Sequence, residues 1–416
     1  MTYKTLITEN VENHSSNLLK NTGYKRWFIA DTATEIATGI NSLVFPLLAL
    51  HFMQSSASAG FLVSVSSIGS LIGLLPGGYI ADTYNRRKVN LIFSTIAITG
   101  YLSIILAIRE QISSGALLAF LFAIISFSTA VLAPVFTSSL KQLVPSAKFA
   151  QAMGANEARS ALLALAVPPV AGLLAGISGV FPCVVALVCL VSSIAVFPSL
   201  PLRTTEKLQN KDGVLVGFSL IWKNPALRTL MFAGMLINAA VSTVMLVLIF
   251  SLKQENVTVF NIGLVQTAIA VGALSGAILS GFVVPRIKSG VLIIGSLCWI
   301  SVFLCVVALS TNILFITIFA AISVVPGPML NATLMGYTLS ITPAHQQGRL
   351  DAAMSLIASL AAPVAPLISG IGTEVLPGKL AILFAVAFIV VAVLLCLLSP
   401  EIRTLQKGRD WAQEEG

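Results

Sequence analysis

The sequence predicts an all-α membrane protein of twelve transmembrane helices in two pseudo-symmetric six-helix bundles. Three observations predict it: the composition, the recurrence of long apolar runs, and the repetition of features of the first half in the second. Of 416 residues, 56% are hydrophobic and only 10% charged, against the quarter or so of charged residues usual in soluble domains. Apolar runs of roughly 20 residues, the length that crosses a bilayer as a helix, follow one another along the whole chain. They leave no polar segment large enough for a separate soluble domain.

Taken in order, residues 1–26 are polar and mixed in charge, with no apolar core followed by a small-residue cleavage site. They read as a cytoplasmic tail, and the first span itself as the targeting signal. Apolar runs bounded by charges or by Gly/Pro/Asn clusters then begin near Trp27, Ser58, Val89, Gly115, Ala152 and Val180, giving a first bundle over residues 27–201. Residues 202–224, with the polar phrase RTTEKLQNKDG, form the one long connection and read as a cytoplasmic linker. Six more runs begin near Ala226, Val259, Gly290, Asn312, Ala352 and Lys379, giving a second bundle over 225–399 and a tail over 400–416.

Charge sets the orientation. With both termini in the cytoplasm, the termini and the loops facing the same side collect nearly all of the Lys and Arg, including Arg86, Arg87 and Lys88 after the second span. Only Arg109, Lys253 and Lys379 fall on the other side, the asymmetry of the positive-inside rule. The net charge of +8 is thereby a membrane-orientation signal and not a nucleic-acid footprint. The five cysteines lie inside apolar runs without metal-like spacing and read as small core residues.

The halves repeat. At one constant offset Gly60, Gly73 and Gly78 fall on Gly263, Gly276 and Gly281; at a slightly smaller one Pro145, Pro168 and Gly172 fall on Pro343, Pro366 and Gly370. Such internal symmetry is expected of a two-bundle transporter. Between the second and third spans, PGGYIADTYNRRKV closes an apolar helix with a glycine pair, places one acid, Asp82, at the membrane surface and follows it with three adjacent cations.

The spacing Gly78-x-x-x-Asp82-x-x-x-Arg86-Arg87 resembles the cytoplasmic loop signature of the major facilitator superfamily of secondary transporters. The resemblance implies a glycine that lets two helices approach closely, an acid facing a neighbouring helix end, and a basic pair that pins the loop to the cytoplasmic face. Thr83 stands where the family usually has a basic residue and Asn85 where it has a glycine. The second copy, GFVVPRIKSG, has Pro285 in place of the acid. In the fifth span Pro168-Pro169-x-x-Gly172 resembles the Gly/Pro-rich element of the superfamily's antiporters, with Val167 in place of the leading glycine; such residues permit close packing and bending. The fourth span, unlike that of many drug-proton antiporters, contains no arginine. The phrases APVFTSSLKQLVP and GFSLIWKNPALR resemble the branch containing macrolide-efflux and enterobactin-exporter-like proteins.

Few residues inside the spans can carry chemistry. Asp31 and Glu35 stand four apart on one helical face, one and two turns inside the boundary marked by Lys25 and Arg26. Two carboxylates so close repel when both are ionised, so at least one is expected to take up a proton near neutral pH. Intramembrane acids are functional by default. Glu35 is the candidate proton and substrate site, while Asp31 either shares that role, snorkels to the interface or caps a neighbour. Glu157 and Arg159 open the fifth span, in an ion-paired structural role or at the substrate. Asn41, Asn238, Gln266, Asn331 and Tyr337 either hydrogen-bond a neighbouring helix or line a central cavity. No nucleotide-binding Gly-Lys-Ser/Thr element occurs, so ATP-driven transport has no support. No catalytic group, metal or cofactor is expected.

The function these readings point to is a monomeric proton-coupled exporter of amphipathic small molecules, of drug or macrolide type, in the cytoplasmic membrane. Its partners are substrate, protons and the lipid bilayer. Export of a siderophore or similar metabolite is the alternative within transport. A receptor or lipid-handling protein on the same fold is the alternative outside it.

Overall fold

A computed structural model describes residues 21–112, 114–197, 215–342, 344–376 and 378–406. The predicted tails over 1–20 and 407–416, and most of the 202–224 linker, lie outside the described residues. Within these limits the chain is helical, with no β-strand among the described residues. Among the described residues eleven stretches are long and apolar enough to cross a membrane, and Val180–Val196, a shorter apolar helix, occupies the place of the sixth predicted span.

The N-terminal half comprises α1 (Thr22–Met53), α2 (Ser56–Thr83), α3 (Arg86–Arg109), α4 (Gly115–Leu143), α5 (Ser146–Ile177) and α6 (Val180–Val196). A short helix, α7 (Leu215–Lys223), ends the linker and buries Ile221 with Leu350 and Ala353 of the second half. The C-terminal half follows as α8 (Pro225–Gln254), α9 (Val259–Val283), α10 (Ser289–Leu309), α11 (Ile313–Val324), α12 (Gly327–Ile341), α13 (Ala344–Ser359), α14 (Val364–Val375), α15 (Ile382–Leu398) and α16 (Pro400–Thr404).

Helix starts follow their capping residues. Asn21, Ser55, Asn85, Ser114, Asn224, Thr258 and Asn312 each turn a side-chain oxygen onto a first-turn N–H, satisfying donors that a helix leaves unpaired. Asn85, the departure from the loop signature, accepts from the Arg87 N–H at 3.0 Å and so starts α3. The tenth and eleventh predicted spans are each broken in two. Pro326 separates α11 from α12, and Pro363 separates α13 from α14, because proline lacks the N–H that would continue the ladder.

The repeat seen in the sequence is a repeat of contacts. In the first half a Cβ at Gly69 or Gly73 would collide with the carbonyl of Ala123 or Phe127; in the second, one at Gly272 or Gly276 would collide with that of Ala321 or Val325. The glycines are related by the larger of the two sequence offsets and their partners by the smaller. Backbone contact of this kind is how apolar helices associate where no water drives them together. Gly78 does not share it: a Cβ there would meet nothing within 4 Å, while Gly77 meets Pro134. In this conformation the close approach expected at Gly78 falls further up α2.

The two halves meet at one end, here the far end, remote from Thr22 and Thr404. There α2 packs on α14 and α5 on α9. A Cβ at Gly60 would strike the Pro366 carbonyl and one at Gly370 the Ser56 carbonyl; symmetrically, Gly263 abuts Pro168 and Gly172 abuts Val259. Hydroxyls complete the seam. Ser64 donates to the Pro363 carbonyl, and Thr267 donates at 2.9 Å to the carbonyl of Leu165, which Pro169 leaves without its usual helical donor.

Candidate functional site

Below the seam the halves part around a cavity of about 1120 Å³, just above the usual range for small-molecule sites. Its walls on α2, α5 and α9 include Ser67, Ser160 and Ala277, all on the near side of the seam residues Ser64, Leu165 and Thr267. The lining is mostly aliphatic. Of the polar residues singled out in the sequence, Glu35, Asn238, Gln266 and Asn331 reach it, as does Pro168. Glu35 and the hydroxyls of Thr38 and Ser42 share the α1 wall. The amides stand on the facing half.

Glu35 is tied into a cluster. α1 and α5 both start at the near end, so Glu35 and Arg159 reach matching depths where the helices pack side by side. One guanidinium nitrogen of Arg159, Nη2, donates to both Asp31 Oδ2 and Glu35 Oε2, the latter at 2.8 Å. Nη1 donates to Thr32 Oγ1 at 3.1 Å and to the Phe28 carbonyl at 3.3 Å. The guanidinium also lies 5.0 Å from the Phe28 ring centroid and 5.7 Å from that of Trp27, within cation–π range. Trp27 is fixed in turn by its indole N–H, which donates to the Phe136 carbonyl at 2.9 Å.

The electrostatic consequence is definite. Two carboxylates share one cation, so the fully ionised cluster carries one negative charge. The side chain of Glu35 is 31% exposed, against 17% for Asp31 and 7% for Arg159, so of the two carboxylates Glu35 is the one more open to the cavity. The sequence had the two acids repelling each other. The structure sets Arg159 of α5 between them, in the ion-paired role that was one of its two sequence readings.

The remaining sequence candidates separate. Asn41 accepts a hydrogen bond from the buried Tyr101 hydroxyl at 2.6 Å and is a packing residue. Glu157 points to the exposed surface. Gly172 belongs to the seam, and Tyr337 packs on the cluster around Ile221 and Leu350. At the near end, Arg86 is buried and its Nε donates to the Ala81 carbonyl at 3.1 Å, while Arg87 is exposed. The side chain of Asp82 lies outside what is described.

Comparison with known proteins follows the fold. Residues 28–289 match the family described as Major Facilitator Superfamily. The chain is 21% identical over 398 residues to "Enterobactin exporter EntS" of Salmonella choleraesuis (strain SC-B67), covering 92% of this chain and 94% of that protein. It is 22% identical over 358 residues to "Multidrug efflux pump Tap" of Mycolicibacterium fortuitum, covering 80% and 84%. Among solved structures it superposes on a bacterial homologue of the iron transporter ferroportin in an inward-facing state with a TM-score of 0.72 at 16% identity, covering 94% of this chain and 100% of that one. A bacterial homologue of the human lysosomal transporter Spinster, inward-facing and unoccupied, gives 0.74 at 14% identity, covering 93% and 98%. At these identities the likeness is one of fold.

Proposed function

Because the chain belongs to the Major Facilitator Superfamily, we propose that it is a proton-coupled exporter of amphipathic cations working by alternating access of its two bundles. The observation that carries this reading is the Asp31–Arg159–Glu35 cluster on the wall of an otherwise apolar cavity. An apolar cavity accommodates the hydrophobic body of a ligand, and one uncompensated carboxylate attracts its charge. A proton on Glu35 removes that charge and leaves Arg159 and Asp31 as a neutral pair. Cation and proton therefore compete for one site, and a carrier that changes access only when the site is filled by either will exchange them.

The distribution of Lys and Arg supports a cytoplasmic near end with both termini inside. The far-end seal then corresponds to an inward-facing state, the state named for the two solved structures above. Across the turn between α2 and α3, Asp82 with Arg86 and Arg87 acts on the change of state and not on binding. Asp82→Asn is expected to slow transport while leaving substrate affinity nearly intact.

Siderophore export is favoured by one observation, the name of the enterobactin-exporter relatives. The cluster weighs against it, since Arg159 is already engaged by two carboxylates and two rings and is poorly available to an anionic ligand. The reading is tested in proteoliposomes with an imposed proton gradient and a panel of lipophilic cationic, neutral and anionic compounds. Gradient-driven accumulation confined to the cations is the expected result. Accumulation of anions alone would move the assignment to siderophore-like substrates, and movement of none would support a non-transporting role.

A further inference from the structure

The far-end seam is symmetric in its glycines, prolines and hydroxyls, but not in its charge. Glu374, near the end of α14, reaches across to the first turn of α2: its Oε2 accepts from the Ser56 N–H at 2.8 Å, from the Ala57 N–H at 3.3 Å and from the Ser55 hydroxyl at 3.3 Å. Beside it Gln254, at the end of α8, donates to Ser56 Oγ at 2.8 Å. Ser56 is fully buried under these contacts. The neighbouring acid, Glu255, is occupied differently, by Lys379 of its own half at 2.6 Å.

The smaller sequence offset carries Glu374 onto Gly176 of α5. At the matching place in the α5–α9 seam there is therefore no side chain, and Thr258 caps α9 by accepting from the Asn261 N–H, as Ser55 caps α2 by accepting from the Ser58 N–H. A Cβ at Gly176 would meet nothing within 4 Å.

We propose that Glu374 is a side-chain clasp that holds the far gate shut. Its carboxylate sits on the positive end of the α2 dipole and satisfies first-turn donors, and all of its partners belong to the other half. Rocking the halves apart at this end breaks every one of these bonds. The contact exists in only one of two access states and biases the equilibrium between them by its full worth. Among the described residues the α5–α9 seam has no such charge. The inference rests on the alternating-access reading above.

The test is hydrogen–deuterium exchange on the full-length protein in nanodiscs, comparing wild type, Glu374→Ala, and Glu374→Ala combined with Gly176→Glu or with Gly176→Ala. Loss of the clasp is expected to raise the far-open population about tenfold, the size of effect a charged cap on a helix N-terminus supports. Exchange then speeds up in residues 56–64 and 363–374, and also across the remote seam at 165–172 and 259–267, while near-end residues 344–359 become more protected. Gly176→Glu, by building the missing clasp, restores the wild-type pattern; Gly176→Ala does not. Faster exchange confined to the first turn of α2 would mean that Glu374 is a local cap only and would overturn the proposal. Opening of both seams with no added protection at the near end would leave the clasp standing and sink the alternating-access reading on which it rests.

Discussion

Arg159 decides the chemistry of the site, because it gives two mutually repelling carboxylates a shared cation, and the cluster when fully ionised keeps a single negative charge. Removing it strands Asp31 and Glu35 together in a largely buried setting. Breaking a buried pair from one side costs about 3 kcal/mol or more, so Arg159→Ala should lower the thermal unfolding midpoint clearly. Arg159→Lys keeps the charge but loses the donors to Thr32 and Phe28 and the planar stacking, and should fall between. Unfolding curves in detergent for the pair check this; equal midpoints for wild type and Arg159→Ala would show that the cluster contributes nothing to stability. Asp31→Asn, which leaves Arg159 and Glu35 paired, should impair transport less than Glu35→Gln. The two acids were legible in the sequence because charge inside an apolar run is rare. Their sharing of Arg159 was not, because it depends on which faces α1 and α5 turn toward each other. Glu157, two residues from Arg159, shows the limit: on a helix that offset points to another face, and it lies on the surface.

At the scale of elements, small residues do two different jobs that the sequence does not distinguish. Gly73 packs α2 on α4 within one half, and Gly60 packs α2 on α14 between halves. Overpacking costs about 1–3 kcal/mol. Gly73→Val should therefore reduce folded yield, whereas Gly60→Val should leave yield near normal and prop the far end open. Alkylation of a cysteine introduced at Ser67 on the cavity wall by a membrane-impermeant reagent from the far side separates these outcomes. The test fails if Gly60→Val leaves that labelling unchanged. Gly and Pro positions made the repeat readable from sequence alone. The breaks at Pro326 and Pro363 were not, since Pro46, Pro76 and Pro134 lie inside unbroken helices; whether proline interrupts or merely bends depends on what neighbouring helices offer the freed carbonyls.

For the whole molecule, the sequence carried the count of spans and the division into halves, while the orientation rests on the positive-inside rule alone. It did not carry the conformation, which depends on which pairs of helix ends close together. Cysteines placed in the loop after Thr83 and in the 202–224 linker should resist external reagent in intact cells, and surface labelling of either would invert the topology. The central claim, exchange of a cation for a proton at Glu35, is tested most directly by recording internal pH in proteoliposomes while a lipophilic cation is added outside. Wild-type protein should move protons in the direction opposite to the cation. Glu35→Gln, uncharged at every pH, should show no cation-driven proton movement while still passing a neutral compound down its gradient. Undiminished proton movement in Glu35→Gln would contradict the account and place the coupling elsewhere.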